Sequence, residues 1–247
     1  MKLTPEQIVE NWEKVIKIIH GEIALDKREN LLKLYHHFQD RMLYAPASGK
    51  DFYHGAYPGG YLKHVIGVHQ IALDLDGVIR KYSTQVDYTL EELVFTAINH
   101  DLGKIGDLKE PYFVEHNERW RKERGELYIH NPNIENMQVP HRSLWLLSQF
   151  DVKYNQKEMI AILLHDGMYD EGNKAYLVNY TEDRQLRSKL PTILHQADML
   201  ACQIEKDEYK VHDKPKKESN VSFPKQKLHI PQEALRALKN SLNGGTR

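Results

Sequence analysis

An all-α bundle is the fold the sequence predicts, on three observations. Apolar residues recur at the 3.6-residue helical period in several separate segments. Clusters of Gly, Pro, Ser and Asn punctuate those segments. Strand-like alternation is confined to one short stretch near Tyr176 to Tyr180, which reads as a small hairpin.

Thr4-Pro5 with Gln7 reads as an N-cap, a first-turn proline and the amide of a capping box, so a first helix is expected from there to about His20. A second is expected from Asp26 to Leu43, ahead of the breaker-rich APASGKDFYHGAYPGG. Pro58-Gly59-Gly60 then opens a long helix in which His64, Val68, Ile71, Leu75 and Val78 share one stripe, so His64 faces inward. Leu90, Leu93, Val94, Ala97 and Ile98 mark the next helix, whose stripe continues onto His100 and Asp101 before Gly103. Residues 109–140 have an irregular pattern and read as an insertion too long for an ordinary connection. Helices resume at His141 to Phe150 and Gln156 to His165. A helix from Pro191 places Leu194, Ala197, Asp198 and Ala201 on one face. The expected organisation is one helical domain over 1–210 with its core in 57–208, followed over 211–247 by a charged linker and a terminal helix from Pro231 to Leu242.

Lys and Arg number 34 against 35 Asp and Glu, so no global charge draws the chain to nucleic acid or to a membrane surface. Cys202 is the only cysteine, which excludes an intramolecular disulfide and the multi-cysteine zinc sites. Glu6, Gln7, Glu10, Glu13 and Lys14 interrupt the first helix, so it does not read as a signal segment, and the expected setting is cytoplasmic.

The unusual feature is where the histidines fall. His64, His100-Asp101, His141, His165-Asp166 and Asp198 each interrupt an apolar helical face, where an unpaired polar group is costly. Imidazole and carboxylate donors on such faces suit a divalent cation: Mn, Fe, Co, Ni, Zn or Mg. His54, His69 and His116 read as ordinary polar residues, and His195 either orients a ligand or packs.

The order His64, His100-Asp101, Asp198 resembles the H…HD…D signature of the HD-domain superfamily of metal-dependent phosphohydrolases, over about Tyr57 to Glu208. AYPGGYLKH is similar to the segment before the first ligand in HD modules of bacterial 3′-to-5′ exoribonucleases. HDLGKIGD is similar to those modules and to HD-GYP cyclic-dinucleotide phosphodiesterases, although the GYP signature itself is missing. The chain also resembles phage-encoded HD proteins, for which the setting is the host cytoplasm. The resemblance implies an HD-type helical bundle, with His64, His100, Asp101 and Asp198 as metal ligands. The two-metal branch of the family adds two histidines, positions that His141 and His165 could fill, so one or two ions are expected.

Such ions lower the pKa of bound water from ~16 toward ~7 and clamp phosphoryl oxygens. Asp101 is then the natural bridging ligand and Lys104, three residues on, the charge over the phosphate. Asp166 or Asp107 is placed to accept a proton or to hold an imidazole. Arg119, Arg121 and Arg124, with Lys122, read either as a solvated face or as a lid that binds phosphate, with Trp120, Tyr112 and Tyr128 available to stack on a base. Asp170, Asn173, Lys174 and Tyr176 form a candidate opposite wall, joined by Arg184 and Arg187. The expected substrate is a nucleotide or deoxynucleotide phosphoester. The alternatives are single-stranded RNA or DNA, and a non-catalytic nucleotide-binding module.

Overall fold

Local chemistry sets the first boundary: the Thr4 hydroxyl accepts from the Gln7 backbone N–H at 3.3 Å while the Gln7 side chain accepts from the Thr4 N–H at 2.9 Å. That reciprocal cap starts α1 (Pro5–Glu22). The computed structural model describes residues 3–179 and 181–212. In it α1 is followed by α2 (Leu25–His37), α3 (Gln39–Tyr44), α4 (Gly60–Tyr82) and α5 (Leu90–Asn99). The chain continues through α6 (Arg119–Glu123), α7 (Val139–Gln149), α8 (Gln156–Leu164), α9 (Lys174–Leu177) and α10 (Leu190–His212). No helix among the described residues is long and apolar enough to cross a membrane.

The predominance of helix agrees with the expected all-α class, and three details differ from it. The single helix expected over Asp26 to Leu43 breaks at Phe38, whose backbone leaves helical angles (φ -100, ψ 10). The break buries the Phe38 ring against Phe150, centroids 5.6 Å apart. The hairpin expected near Tyr176 to Tyr180 is absent from the described part of that stretch. The Asp170 carboxylate there accepts from the Gly172 N–H and winds the chain into short helical turns that lead into α9. A hairpin lies instead inside the insertion, where β1 (Phe113–Glu115) and β2 (Tyr128–His130) pair antiparallel with Val114 opposite Ile129. Aromatic and β-branched residues face each other across this ladder, which favours strand pairing. The expected linker and terminal helix lie outside the described residues, α10 running through His212.

α5 and α8 form the frame of the site. Each begins in a capping box, Thr89 with Glu92 and Asn155 with Glu158. The two caps are tied together by the Asn155 amide donating to Glu92 at 2.7 Å. Helices of 10 and 9 residues that start side by side also end side by side. Their far ends carry His100 and His165, with ring centroids 4.9 Å apart.

Two apolar clusters meet at this level. One joins α1, α2 and α3 to Tyr61, Val65, Ile98, Leu102 and Leu146, and the other joins Val68, Ala72, Leu93 and Ala97 to Leu194, Ala197 and Ala201. His64 stands beside Val65 of the first cluster and one turn before Val68 of the second, and His100 and Asp101 fall between Ala97 of the second and Leu102 of the first. The polar residues therefore occupy the seam of the core.

Past His100 the chain tightens into a 3-10 turn, Leu102–Ile105, that packs on α7. Contact is close because Gly103 has no side chain: a Cβ there would lie 2.3 Å from the Val139 carbonyl oxygen. The Gly103 N–H donates to Ser143 Oγ at 2.8 Å, and that hydroxyl donates to the His100 carbonyl at 2.9 Å. Gly103→Ala is expected to destabilise the fold by about 1–3 kcal/mol, as overpacking does. It should also weaken divalent-metal binding, because the strain falls two residues from Asp101. Denaturant unfolding with and without added metal separates the two effects.

Candidate metal centre

Three imidazoles are built with the same polarity. The Nδ1 of His100 donates to the Ala97 carbonyl and the Nδ1 of His165 to the Ile162 carbonyl, each at 2.8 Å and each three residues back. A carbonyl only accepts, so these contacts hold a proton on Nδ1 and turn Nε2 toward another partner. His64 Nδ1 lies 3.2 Å from Glu205 Oε1 on α10, the carboxylate contact that orients a metal-binding histidine. His64 and His100 are wholly buried, and the Nε2 of His100 has no hydrogen-bond partner. Buried polar atoms are seldom left so.

Those Nε2 atoms converge on two carboxylates. His64 Nε2 lies 3.1 Å from Asp198 Oδ1 and 3.5 Å from Asp101 Oδ2. His100 Nε2 lies 3.5 Å from the same Asp101 oxygen and 3.8 Å from Asp198 Oδ1. His165 Nε2 faces the other Asp101 oxygen at 3.6 Å. Bonds of about 2.0–2.3 Å to a tetrahedral cation set its ligand atoms about 3.3–3.8 Å apart, so most of these separations are the edges of a coordination shell. Buried groups within reach of one another, His64, His100 and Asp101 together with His100, His165 and Asp198, are compatible with a divalent metal.

The electrostatics point the same way. Burial opposes charge on His64, yet Glu205 and Asp198 outweigh it and raise its pKa to about 10. Burial likewise opposes charge on His165, and Asp101 and Asp166 carry it up to about 9. Burial would raise Asp101, but Lys104 and the neighbouring imidazoles hold it well below the usual carboxylate range. Asp198 is held low against burial by His64 and His100. The pocket thus favours positive charge. Part of it comes from Lys104, whose Nζ lies 2.5 Å from Asp101 Oδ2 and whose protonated form Asp101 stabilises against burial.

Other residues singled out in the sequence fall around this centre. Asp166 is half exposed, with Oδ1 3.7 Å from His165 Nε2. His195 donates from Nδ1 to the His165 carbonyl, and its ring covers Gly167, where a Cβ would lie 2.2 Å from it. The structure does not bring His141 to the cluster: it is exposed on the first turn of α7 and belongs to none of the converging groups among the described residues. Asp107 instead accepts from the Lys109 and Glu110 backbone N–H groups and shapes a turn.

The basic insertion is internally balanced. Arg119 pairs with Glu123, Arg121 with Glu118 and Glu126, and Lys122 with Glu115. Arg121 and Arg124 lie over the Trp120 ring at 4.6 and 5.0 Å, where they compete with a base for a ring that stays half exposed. Tyr128 is half-buried beside Phe113, and burial lifts its phenol to about 12. Lys174 and Tyr176 are exposed on α9, as are Arg184 and Arg187 in the stretch before α10.

Sequence reasoning missed Glu205, His54 and Cys202. Glu205 follows Asp198 by seven residues and Cys202 by three, so the helical period carries both onto the Asp198 face. His54 sits in a breaker-rich loop that has no period to read. Compared with protein-family models, curated proteins and solved structures, the chain gives no significant match.

Proposed function

We propose that the protein is a metal-dependent phosphohydrolase of the HD type that cleaves a nucleotide phosphoester. One observation carries the reading: three buried imidazoles, each fixed through Nδ1, turn Nε2 toward Asp101 and Asp198 beside an ammonium group. His64, His100, Asp101 and Asp198 would hold a divalent cation, with His165 on the far oxygen of Asp101. Such a cation supplies a water acidified from ~16 toward ~7 and polarises the phosphoryl group.

The chain's own residues do the rest. Glu205 fixes His64, and the backbone carbonyls fix His100 and His165, so the donor set is preorganised. Lys104 neutralises charge that develops on the phosphoryl oxygens, and half-exposed Asp166 takes a proton at the mouth. The glutamates that balance the insertion favour a small nucleotide over a long strand, since strand binding depends on uncompensated basic charge.

The test is phosphate release from a panel of nucleotides and short oligonucleotides, with Mn, Fe, Co, Ni, Zn or Mg supplied in turn. Hydrolysis of a nucleotide is the expected result, and no turnover with any metal overturns the proposal. Lys104→Met is expected to lower kcat by about 10²–10³-fold, the scale of losing one charge-stabilising donor. Metal affinity should hold or rise, because the ammonium competes with the cation for Asp101 Oδ2. Metal titration beside steady-state kinetics checks both.

A further inference from the structure

One flank of the centre carries donors that the His and Asp set does not use. His54 stands in the loop before α4, and Cys202 lies one turn beyond Asp198 on α10. Cys202 Sγ is 3.6 Å from His54 Nε2 and 3.5 Å from Asp198 Oδ1. The His54 ring lies 4.7 Å from that of His64, and His54, His64 and Cys202 bring ligand atoms within 4.8 Å of one another. Around a tetrahedral ion with nitrogen and oxygen at about 2.0–2.2 Å and sulfur at about 2.3 Å, adjacent ligand atoms are about 3.3–3.8 Å apart. Both separations from the sulfur fall on that edge length.

A thiol that donates a hydrogen bond to Asp198 beside a packed histidine accounts for the two sulfur contacts alone. It leaves one buried atom unexplained. Glu205 Oε2 has no hydrogen-bond partner, on a side chain only 9% exposed and three residues past Cys202 on the same helix. A cation on this flank compensates that carboxylate, which a neutral thiol does not do.

We propose that His54, Cys202 and Asp198 form a second, thiolate-containing cation site, joined to the His64, His100 and Asp101 centre through the shared Asp198 carboxylate. The sulfur makes it selective for a borderline-soft divalent ion such as Zn or Co over Mg. Binding exchanges the thiol S–H bond for a sulfur–metal bond. The proton leaves to solvent and no electron is transferred. Cys202 is the chain's only cysteine, so any thiolate signal reports this site alone.

Cobalt(II) titration of the full chain tests it, read as bound equivalents and as the near-ultraviolet thiolate-to-cobalt charge-transfer band. The wild-type chain should show the band and bind one equivalent more than Cys202→Ser, which should lack the band. His54→Ala should bind the extra equivalent at least about tenfold more weakly, as loss of a ligand or of its support does. No band in the wild-type chain overturns the site, as does equal stoichiometry with Cys202→Ser. Unchanged affinity in His54→Ala overturns it as drawn. These outcomes are separate from those of the phosphohydrolase proposal. Turnover without the band leaves that proposal standing and removes this one, and the band without turnover does the reverse.

Discussion

Asp101→Asn should give a folded protein that holds no divalent metal at the His64–His100 centre and releases no phosphate above background. The side chain is 3% exposed, and both of its oxygens are engaged. Oδ2 faces His64, His100 and Lys104, and Oδ1 faces His165. Asparagine keeps the volume, so the packing between the 3-10 turn and α7 survives. The charge is lost, and the amide N–H group can donate to an imidazole Nε2 that a cation needs. Lys104 loses its ion-pair partner in the same substitution. Its side chain is 16% exposed and reaches water, so the stability cost is that of one charged hydrogen bond, about 1–3 kcal/mol. Metal analysis of the purified variant, a thermal melt and the nucleotide panel give the three readings. Stoichiometric metal at wild-type affinity in Asp101→Asn would sink the assignment of this carboxylate as the shared ligand.

How much of this was legible in the sequence follows from where period and capping reach. His64 and Asp198 lie on long amphipathic helices and His100 caps a shorter one, where the 3.6-residue period alone turns them inward, and the structure buries or half-buries each of them. The first helix was legible from its capping box, which depends on three neighbouring residues. The tie between Asn155 and Glu92 was not, because it is a contact over 63 positions that no local pattern encodes. It is nevertheless what sets His100 beside His165. His141 illustrates the opposite case. Following Pro140 in the first turn of α7, it sits where helix direction is fixed but facing is not, and the structure turns it to solvent. The misplaced hairpin has a similar cause. Two three-residue strands separated by a charged helical turn look irregular, whereas the alternation at Ala175 to Val178 has no partner strand among the described residues to pair with.

Metal binding at the His64–His100 centre at pH 7 should expel two protons, one from His64 and one from His165. In the metal-free chain their pKa values stand at about 10 and about 9, so both rings carry a proton at neutral pH. A ring that ligates through Nε2 must give that proton up. Each proton displaced makes the apparent affinity climb by about tenfold per pH unit below pH 9. The stability of the metal-free chain runs the other way. Both pKa values are raised above the unfolded value of about 6.5, so the stabilisation is fully present below that pH and is lost as pH rises through 9 and then 10. Asp101 and Asp198 are depressed instead, and their contribution is lost as pH falls below the ordinary carboxylate range. Raising pH from 7 to 9 therefore weakens the chelated protein while it tightens metal binding, and the melting temperatures with and without chelator should diverge over that interval. Calorimetric titration in buffers of different ionisation enthalpy counts the protons directly. A heat of binding independent of the buffer, or a chelator effect that stays constant from pH 7 to 9, would mean that His64 and His165 do not exchange their protons for the metal.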